Sequence, residues 1–256
     1  MHNKLKEIIS DGRQALGMFL ELEGHLAAEC LGLSGLDFFI ADAEHGTFDV
    51  KSAAAAIIAG RLRGIEPLVR TQDSTRSSVL KMLDIGAAGL IVPYIQDLDE
   101  VKRLVEFAKY APLGSRGFAW TRSAGFGKDA ASPKLEEHFN ICNAQTLLIP
   151  QCETAGCLAQ VERIADLAGV DGIFVGPYDL SIALGVPGEL FSPILQSAIN
   201  RILEACKSSG KLAFIYAGDV PTAKQRFEEG FDAVACGMDV LCLMEAVQKL
   251  VANVKG

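Results

Sequence analysis

Long hydrophobic runs are missing from this 256-residue sequence. No stretch approaches the ~18 uninterrupted apolar residues of a membrane-spanning helix. The richest, Ala53 to Ala59, is soon followed by Arg61 and Arg63, so no membrane span is expected. The opening MHNKLKEIISDGRQ carries charges in its first turns and lacks the apolar core of a secretory leader, which makes the cytoplasm the expected compartment. Positive charge is also short: 24 Lys and Arg face 32 Asp and Glu, a formal net charge of −8. A net-acidic surface attracts neither nucleic acid nor an anionic membrane, so neither is an expected partner. A local basic spot still leaves room for a small anionic metabolite. The seven cysteines contain no C-x-x-C pair, and Cys142, Cys152, Cys236 and Cys242 lie in apolar segments. They read as reduced, buried thiols and not as a disulfide framework. Low-complexity tracts, linkers and internal sequence repeats are absent as well.

What is present is a large apolar fraction, 50%, enough for a sizeable core, in a chain whose length suits one barrel spanning residues 1–256. Eight short apolar or β-branched runs alternate with longer amphipathic ones. The runs are Ala15–Leu20, Asp37–Ala41, Pro67–Arg70, Gly89–Tyr94, Thr146–Cys152, Gly172–Gly176, Leu212–Tyr216 and Ala233–Cys236. They are too short for buried helices and do not alternate strictly, as expected of parallel strands covered on both faces. Between them, His25–Leu33, Ser52–Leu62, Ser74–Leu83, Asp99–Tyr110, Ala155–Leu167, Pro193–Ser208, Thr222–Glu228 and Met244–Val254 place apolar residues at helical spacing. Strand–helix alternation repeated eight times predicts an α/β protein, a single-domain (β/α)8 TIM barrel, with a doubly wound open sheet as the rival. Two connections are long. One runs from Ala111 to Gln145 and carries LGSRGFAWTRSAGFGKDA; the other follows Asp179.

On a barrel, chemistry sits at the C-terminal ends of the strands, which converge on one face however far apart they lie in sequence. Those ends supply Asp42, Glu44 and His45; Arg70; Gln151 and Glu153; and Tyr178 and Asp179. Glu153 and Asp179 follow neighbouring strands, so one hard cation could be shared between them, with water and substrate filling the remaining positions. The ordinary alternative is that each caps the helix that follows. Gly176-Pro177 turns the chain and exposes the backbone N–H groups of Tyr178 and Asp179, a seat for an anion at a helix start. His45, flanked by Asp42 and Glu44, is either a tuned base or a hydrogen-bonded structural histidine. Read from the residues alone, Asp42 is its partner. Arg70 either makes a salt bridge or meets a substrate carboxylate or developing oxyanion. No lysine ends a predicted strand, so a lysine Schiff base is not expected.

The segments DAEH (42–45), PLVR (67–70), LDIGAAGLIVP (83–93), PQCET (150–154) and GVDGIFVGPYDLS (169–181) resemble the class II, metal-dependent pyruvate aldolases that act on hydroxy-oxo-acids. The resemblance runs the whole chain, in order and spacing, and is of the 2-keto-3-deoxy acid and 4-hydroxy-2-oxo-heptanedioate aldolase type. It implies a (β/α)8 barrel assembled as a homohexamer, a trimer of dimers that often exchange the last helix. It implies a divalent metal, Mg2+, Mn2+ or Co2+, on Glu153 and Asp179. Pyruvate would be held by Gln151, Arg70 and the backbone at Tyr178 and Asp179. His45 would be the acid/base, Arg70 the oxyanion stabiliser, and Asp84 the group raising the basicity of His45.

The reaction so implied is reversible cleavage of a 4-hydroxy-2-oxo acid to pyruvate and an aldehyde through a pyruvate enolate stabilised by the metal. Gly46-Thr47-Phe48, the Arg116-to-Gly127 loop and Tyr216-Ala-Gly218-Asp219 differ from members that take dicarboxylic or sugar-acid substrates. The resemblance therefore leaves the aldehyde open. Two other readings share these residues: an acyl-thioester lyase or synthase of the same superfamily, and a non-catalytic barrel that binds a 2-oxo acid. The first would need a basic cleft for coenzyme A, which the sequence does not offer, and the second has no use for a base beside an enolate site.

Overall fold

In the computed structural model, which describes residues 2–129 and 134–256, eight parallel strands close into a barrel in sequence order. They are β1 (Ala15–Leu20), β2 (Phe38–Asp42), β3 (Glu66–Arg70), β4 (Gly89–Val92), β5 (Leu147–Cys152), β6 (Gly172–Val175), β7 (Leu212–Ala217) and β8 (Ala233–Met238). The helices are α1 (Lys4–Ser10), α2 (His25–Leu33), α3 (Val50–Arg63), α4 (Arg76–Asp84), α5 (Leu98–Ala108), α6 (Leu135–Gln145), α7 (Ala155–Ala159), α8 (Val161–Ala165), α9 (Pro177–Ala183), α10 (Pro193–Ser208), α11 (Val220–Glu229) and α12 (Asp239–Lys255). Among the described residues, no helix is long and apolar enough to cross a membrane, and the seven cysteines are free.

The strands bury both faces, and their two-residue period sorts the side chains. Phe38, Ile40, Leu68, Ile91, Leu147, Ile149, Phe174 and Phe214 fill the inside of the barrel. Their neighbours Phe39, Ala41, Val69, Leu90, Leu148, Ile173 and Ile215 face the helices. Inward-facing side chains occupy every second position, so extending the inner rows by one step aims Asp42, Arg70 and Gln151 into the open end. Register reinforces this: Asp42 pairs with Arg70, and Gln151 with Phe174. The other end is plugged. Leu5 and Ile8 of α1 join the inner cluster, and the Asn3 amide ties the plug down by donating to the carbonyls of Ala88 (3.0 Å) and Gln145 (2.7 Å).

The eight strands fall where the apolar runs place them, with ends displaced by up to two residues. Besides α1, which the sequence reading did not include, three features depart from that reading. The helix expected over Ala155–Leu167 is broken at Gln160, whose φ of −124° and ψ of 15° end α7 and precede α8. No glycine or proline marks the break, so the apolar period alone runs through it. The long connection after Ala111 contains a 3-10 turn, Arg122–Gly127, and the eleven-residue α6; its residues 130–133 lie outside the described residues. The connection after β6 opens directly with α9, so Asp179 sits in a helical first turn.

Candidate active site

The open end of the barrel holds a cavity of about 670 Å3, lined in part by His45, Arg70, Gln151, Gly176, Tyr178 and Asp179. Such a volume is within the ~300–1,000 Å3 range of small-molecule sites. Arg70 anchors one side. Its Nε donates to Asp42 Oδ1 at 2.7 Å, its Nη2 donates to Asp42 Oδ2, and Glu44 Oε2 lies 3.2 Å from Nη1. Burial works against both members of the Asp42–Arg70 pair. The mutual hydrogen bonds and charge outweigh it, leaving Asp42 below and Arg70 above their ordinary values. The guanidinium also lies 4.8 Å above the Phe19 ring. Asp42 is thus committed to Arg70; it meets His45 only through the His45 backbone N–H, 3.5 Å from Asp42 Oδ1, and the partnership with the imidazole ring read from their proximity in sequence is not formed. His45 is exposed, with Nε2 3.9 Å from Glu44 Oε2.

The opposite side is built from β5 and β6. Glu153 is 4% exposed. Its Oε1 accepts the Tyr94 backbone N–H at 2.7 Å, and its Oε2 accepts from Gln151 Nε2. Burial pushes its carboxyl up to about 7; these two hydrogen bonds only partly offset burial, and the charges of Glu44 and Asp179 add to it. Tyr94 reaches Glu153 from a left-handed backbone, φ 56°, a strained conformation for a side chain of this size. Gly176 fits because it has no side chain: a Cβ there would stand 2.6 Å from Glu153 Oε2 and 2.9 Å from Gln151 Nε2.

The helix-capping alternative is answered by the caps themselves. Thr154 caps α7, its Oγ1 accepting the Cys157 N–H at 3.0 Å and donating to the Ile95 carbonyl at 2.5 Å. Gly176 occupies the N-cap of α9. Neither Glu153 nor Asp179 is used as a cap, so helix capping does not account for either carboxylate. Among the described residues no cluster of three or more His, Cys, Asp or Glu forms a metal cage; the corner offers a pair. Its chemistry fits a hard divalent cation. Glu44, Glu153 and Asp179 repel one another, the Gln151 carbonyl oxygen is buried without a hydrogen-bond partner, and two oxygen ligands suit an ion that keeps several waters.

One expected member is elsewhere. α4 runs back from the open end, so its last residue, Asp84, lies at the plugged end, 2.8 Å from Arg116. Within one chain the fold does not bring it to His45. Sequence reasoning also missed two contributors. Tyr94 acts through its backbone, which no side-chain pattern announces. Glu21 follows β1 and lines the cavity. Burial, then a hydrogen bond to Asp42 and its charge, push Glu21 up to about 7. A carboxyl directly after β1 was the available signal.

Comparison with known proteins agrees along the whole chain. The family model described as HpcH/HpaI aldolase/citrate lyase matches residues 15–246. The hydroxypyruvate/pyruvate aldolase of Paraburkholderia phytofirmans is 36% identical over 261 residues, covering 99% of this chain and 98% of that protein. The 4-hydroxy-2-oxo-heptane-1,7-dioate aldolase of Escherichia coli is 30% identical, covering 99% of this chain and 95% of that one. The crystal structure of a family member from Burkholderia cenocepacia superposes with a TM-score of 0.90 at 33% identity, covering 99% and 100% of the two chains. The matches extend from the first strand into the last helix and share the barrel that assembles this corner of carboxylates, so the chain belongs to the HpcH/HpaI aldolase/citrate lyase family.

Proposed function

We propose that this protein is a divalent-metal-dependent aldolase that reversibly cleaves a 4-hydroxy-2-oxo acid to pyruvate and an aldehyde. The observation that carries the reading is the corner where Glu153, Gln151 and the start of α9 meet, facing Arg70 across one cavity. Glu153 and Asp179 would hold Mg2+, Mn2+ or Co2+. Such an ion supplies Lewis-acid stabilisation of negative charge next to the substrate carbonyl.

The chain's own groups do the rest. The Gln151 amide and the first-turn N–H groups of Tyr178 and Asp179, which have no intrahelical acceptor, orient the pyruvate carboxylate. His45 stands exposed at the mouth and takes the proton of the C4 hydroxyl. The C3–C4 bond then breaks, its electron pair passing into the pyruvate half while the C4 oxygen becomes the aldehyde carbonyl. Arg70, held rigid by Asp42, presents a fixed positive charge to the oxygen that gains electron density. Protonation at C3 completes pyruvate. No lysine is found among the described residues lining the cavity. Buried Lys109 binds Asp171 and two carbonyls at the plugged end instead. The cytoplasm is the compartment this small-molecule role suits.

The test is exchange of the pyruvate methyl protons in D2O with added Mn2+ and no aldehyde, read by NMR. Exchange that depends on Mn2+ and is lost in Glu153→Ala supports the proposal. Pyruvate binding without exchange sinks it in favour of a non-catalytic 2-oxo-acid-binding barrel.

A further inference from the structure

Three charged side chains stand side by side where β1, β2 and β3 reach the open end of the barrel. Ala15 and Phe19 of β1 face the inside, and one further two-residue step along that row reaches Glu21. The parallel register of β1 on β2 pairs Leu20 with Ala41, so the next step sets Glu21 beside Asp42. Asp42 in turn stands beside Arg70. Backbone geometry alone therefore produces the order Glu21, Asp42, Arg70.

The contacts follow that row. The Glu21 and Asp42 carboxyls hydrogen-bond to each other, which two carboxyls can do only when one keeps its proton. Arg70 decides which one. It grips Asp42 as the anion through both Nε and Nη2, so the proton stays on Glu21. The same Asp42 carboxylate accepts the Glu44 N–H at 3.0 Å, inside the turn that carries His45. Glu21 also backs that turn directly. A Cβ on Gly46 would stand 2.8 Å from Glu21 Oε2 and closer still to the Asp42 carbonyl oxygen, so the chain lies against the Glu21 carboxyl there. The charged groups facing Glu21 are Asp42 on β2, Arg70 on β3 and Asp239 at the start of α12, whose Oδ1 accepts the Glu21 backbone N–H at 2.8 Å. A neutral Glu21 gives Asp42 a donor without adding charge. An ionised Glu21 would press a second negative charge on Asp42, offset more of the Arg70 charge, and weaken its hold on an oxyanion.

We propose that Glu21 is a positioning residue that acts through Asp42: its carboxylic proton fixes Asp42, and with it the Arg70 guanidinium and the turn bearing His45. The assignment rests on the aldolase reading, in which Arg70 faces the oxygen that gains electron density, and adds the group that holds Arg70 in place and leaves its charge undiminished. Protonation of Glu21 then gates the reaction. Its carboxyl lies at about 7 in the metal-free protein, so the donor is present below that pH and is lost as pH rises through it.

The experiment follows Mn2+-dependent exchange of the pyruvate methyl protons in wild type, Glu21→Gln and Glu21→Leu from pH 6 to pH 9. Glutamine keeps a donor that cannot ionise; leucine keeps bulk without a donor. At pH 6, Glu21→Leu is expected to lose at least tenfold in kcat with KM for pyruvate moved less than threefold, and Glu21→Gln to recover at least a third of wild-type kcat. Between pH 6 and pH 9 the ratio of Glu21→Gln to wild type should rise at least threefold, because only wild type ionises at this position. The ratio cancels the titration of His45, which both proteins share. An unchanged kcat in Glu21→Leu, a loss in Glu21→Gln as large as in Glu21→Leu, or a ratio flat across the pH range overturns the assignment, while exchange by wild type leaves the aldolase reading standing. Absence of exchange in wild type overturns that reading and the assignment together. Where Glu21→Leu does not fold, the pH course of the Glu21→Gln ratio decides alone.

Discussion

Glu153→Gln isolates the charge of a single buried carboxyl. In metal-free protein this group is displaced from an ordinary 4.5 to about 7, which means the folded chain holds its proton more tightly than the unfolded chain does. Its stabilising contribution is therefore fully present below about pH 4.5 and lost as pH rises through 7. At pH 8 the loss amounts to roughly 3 kcal/mol. The amide keeps the shape, accepts the Tyr94 N–H, and can pair with Gln151 if that side chain turns its unpartnered carbonyl oxygen inward. In EDTA, wild type and variant should have similar melting temperatures at pH 5. At pH 8 the variant should melt higher, by up to roughly 6–12 °C at ~2–4 °C per kcal/mol for a chain of this size. Mn2+ should reverse the order at pH 8. A cation gains from the negative charge that destabilises the empty corner, so wild type should rise and the variant should not. Thermal denaturation at two pH values, with EDTA or Mn2+, makes the four comparisons. A melting difference that is the same at both pH values would refute the account of Glu153. An equal response of both proteins to Mn2+ would refute its place in a metal site.

Arg70→Ala should lower kcat/KM by about 10²–10³ through loss of an oxyanion partner. It should also cost stability, about 3–5 kcal/mol, because it strands the fully buried Asp42 carboxylate; a folded variant with unchanged turnover removes Arg70 from the mechanism. Exhaustive chelation should abolish turnover, with Mg2+, Mn2+ or Co2+ restoring it, while borohydride with pyruvate should leave the protein mass unchanged; a reduced pyruvyl adduct on lysine would overturn the metal route. Light scattering should report a homo-oligomer, a hexamer by resemblance, because α12 leaves Leu243, Met244, Val247, Leu250, Val251 and Val254 exposed; a monomer contradicts this.

The architecture was legible in the sequence because parallel strands covered on both faces are apolar at nearly every position between their ends. Runs such as PLVR and GLIV announce themselves that way. Breaks such as that at Gln160 were not legible, since the apolar period of α7 and α8 continues across it and backbone torsions alone mark the stop. For the site, the sequence determined which charged residues terminate buried strands, and the barrel's two-residue period then sends Asp42, Arg70 and Gln151 inward together. Their pairing was decided only by tertiary structure. Asp42 lies three residues from His45, yet it binds Arg70, because β2–β3 register sets those two side by side and a guanidinium matches a carboxylate with two hydrogen bonds. Asp84 shows the same limit from the other side: its sequence segment resembles a catalytic one, but a helix antiparallel to its strands carries it to the plugged end. Which charges meet is set by register and helix direction, and both exist only once the barrel has closed.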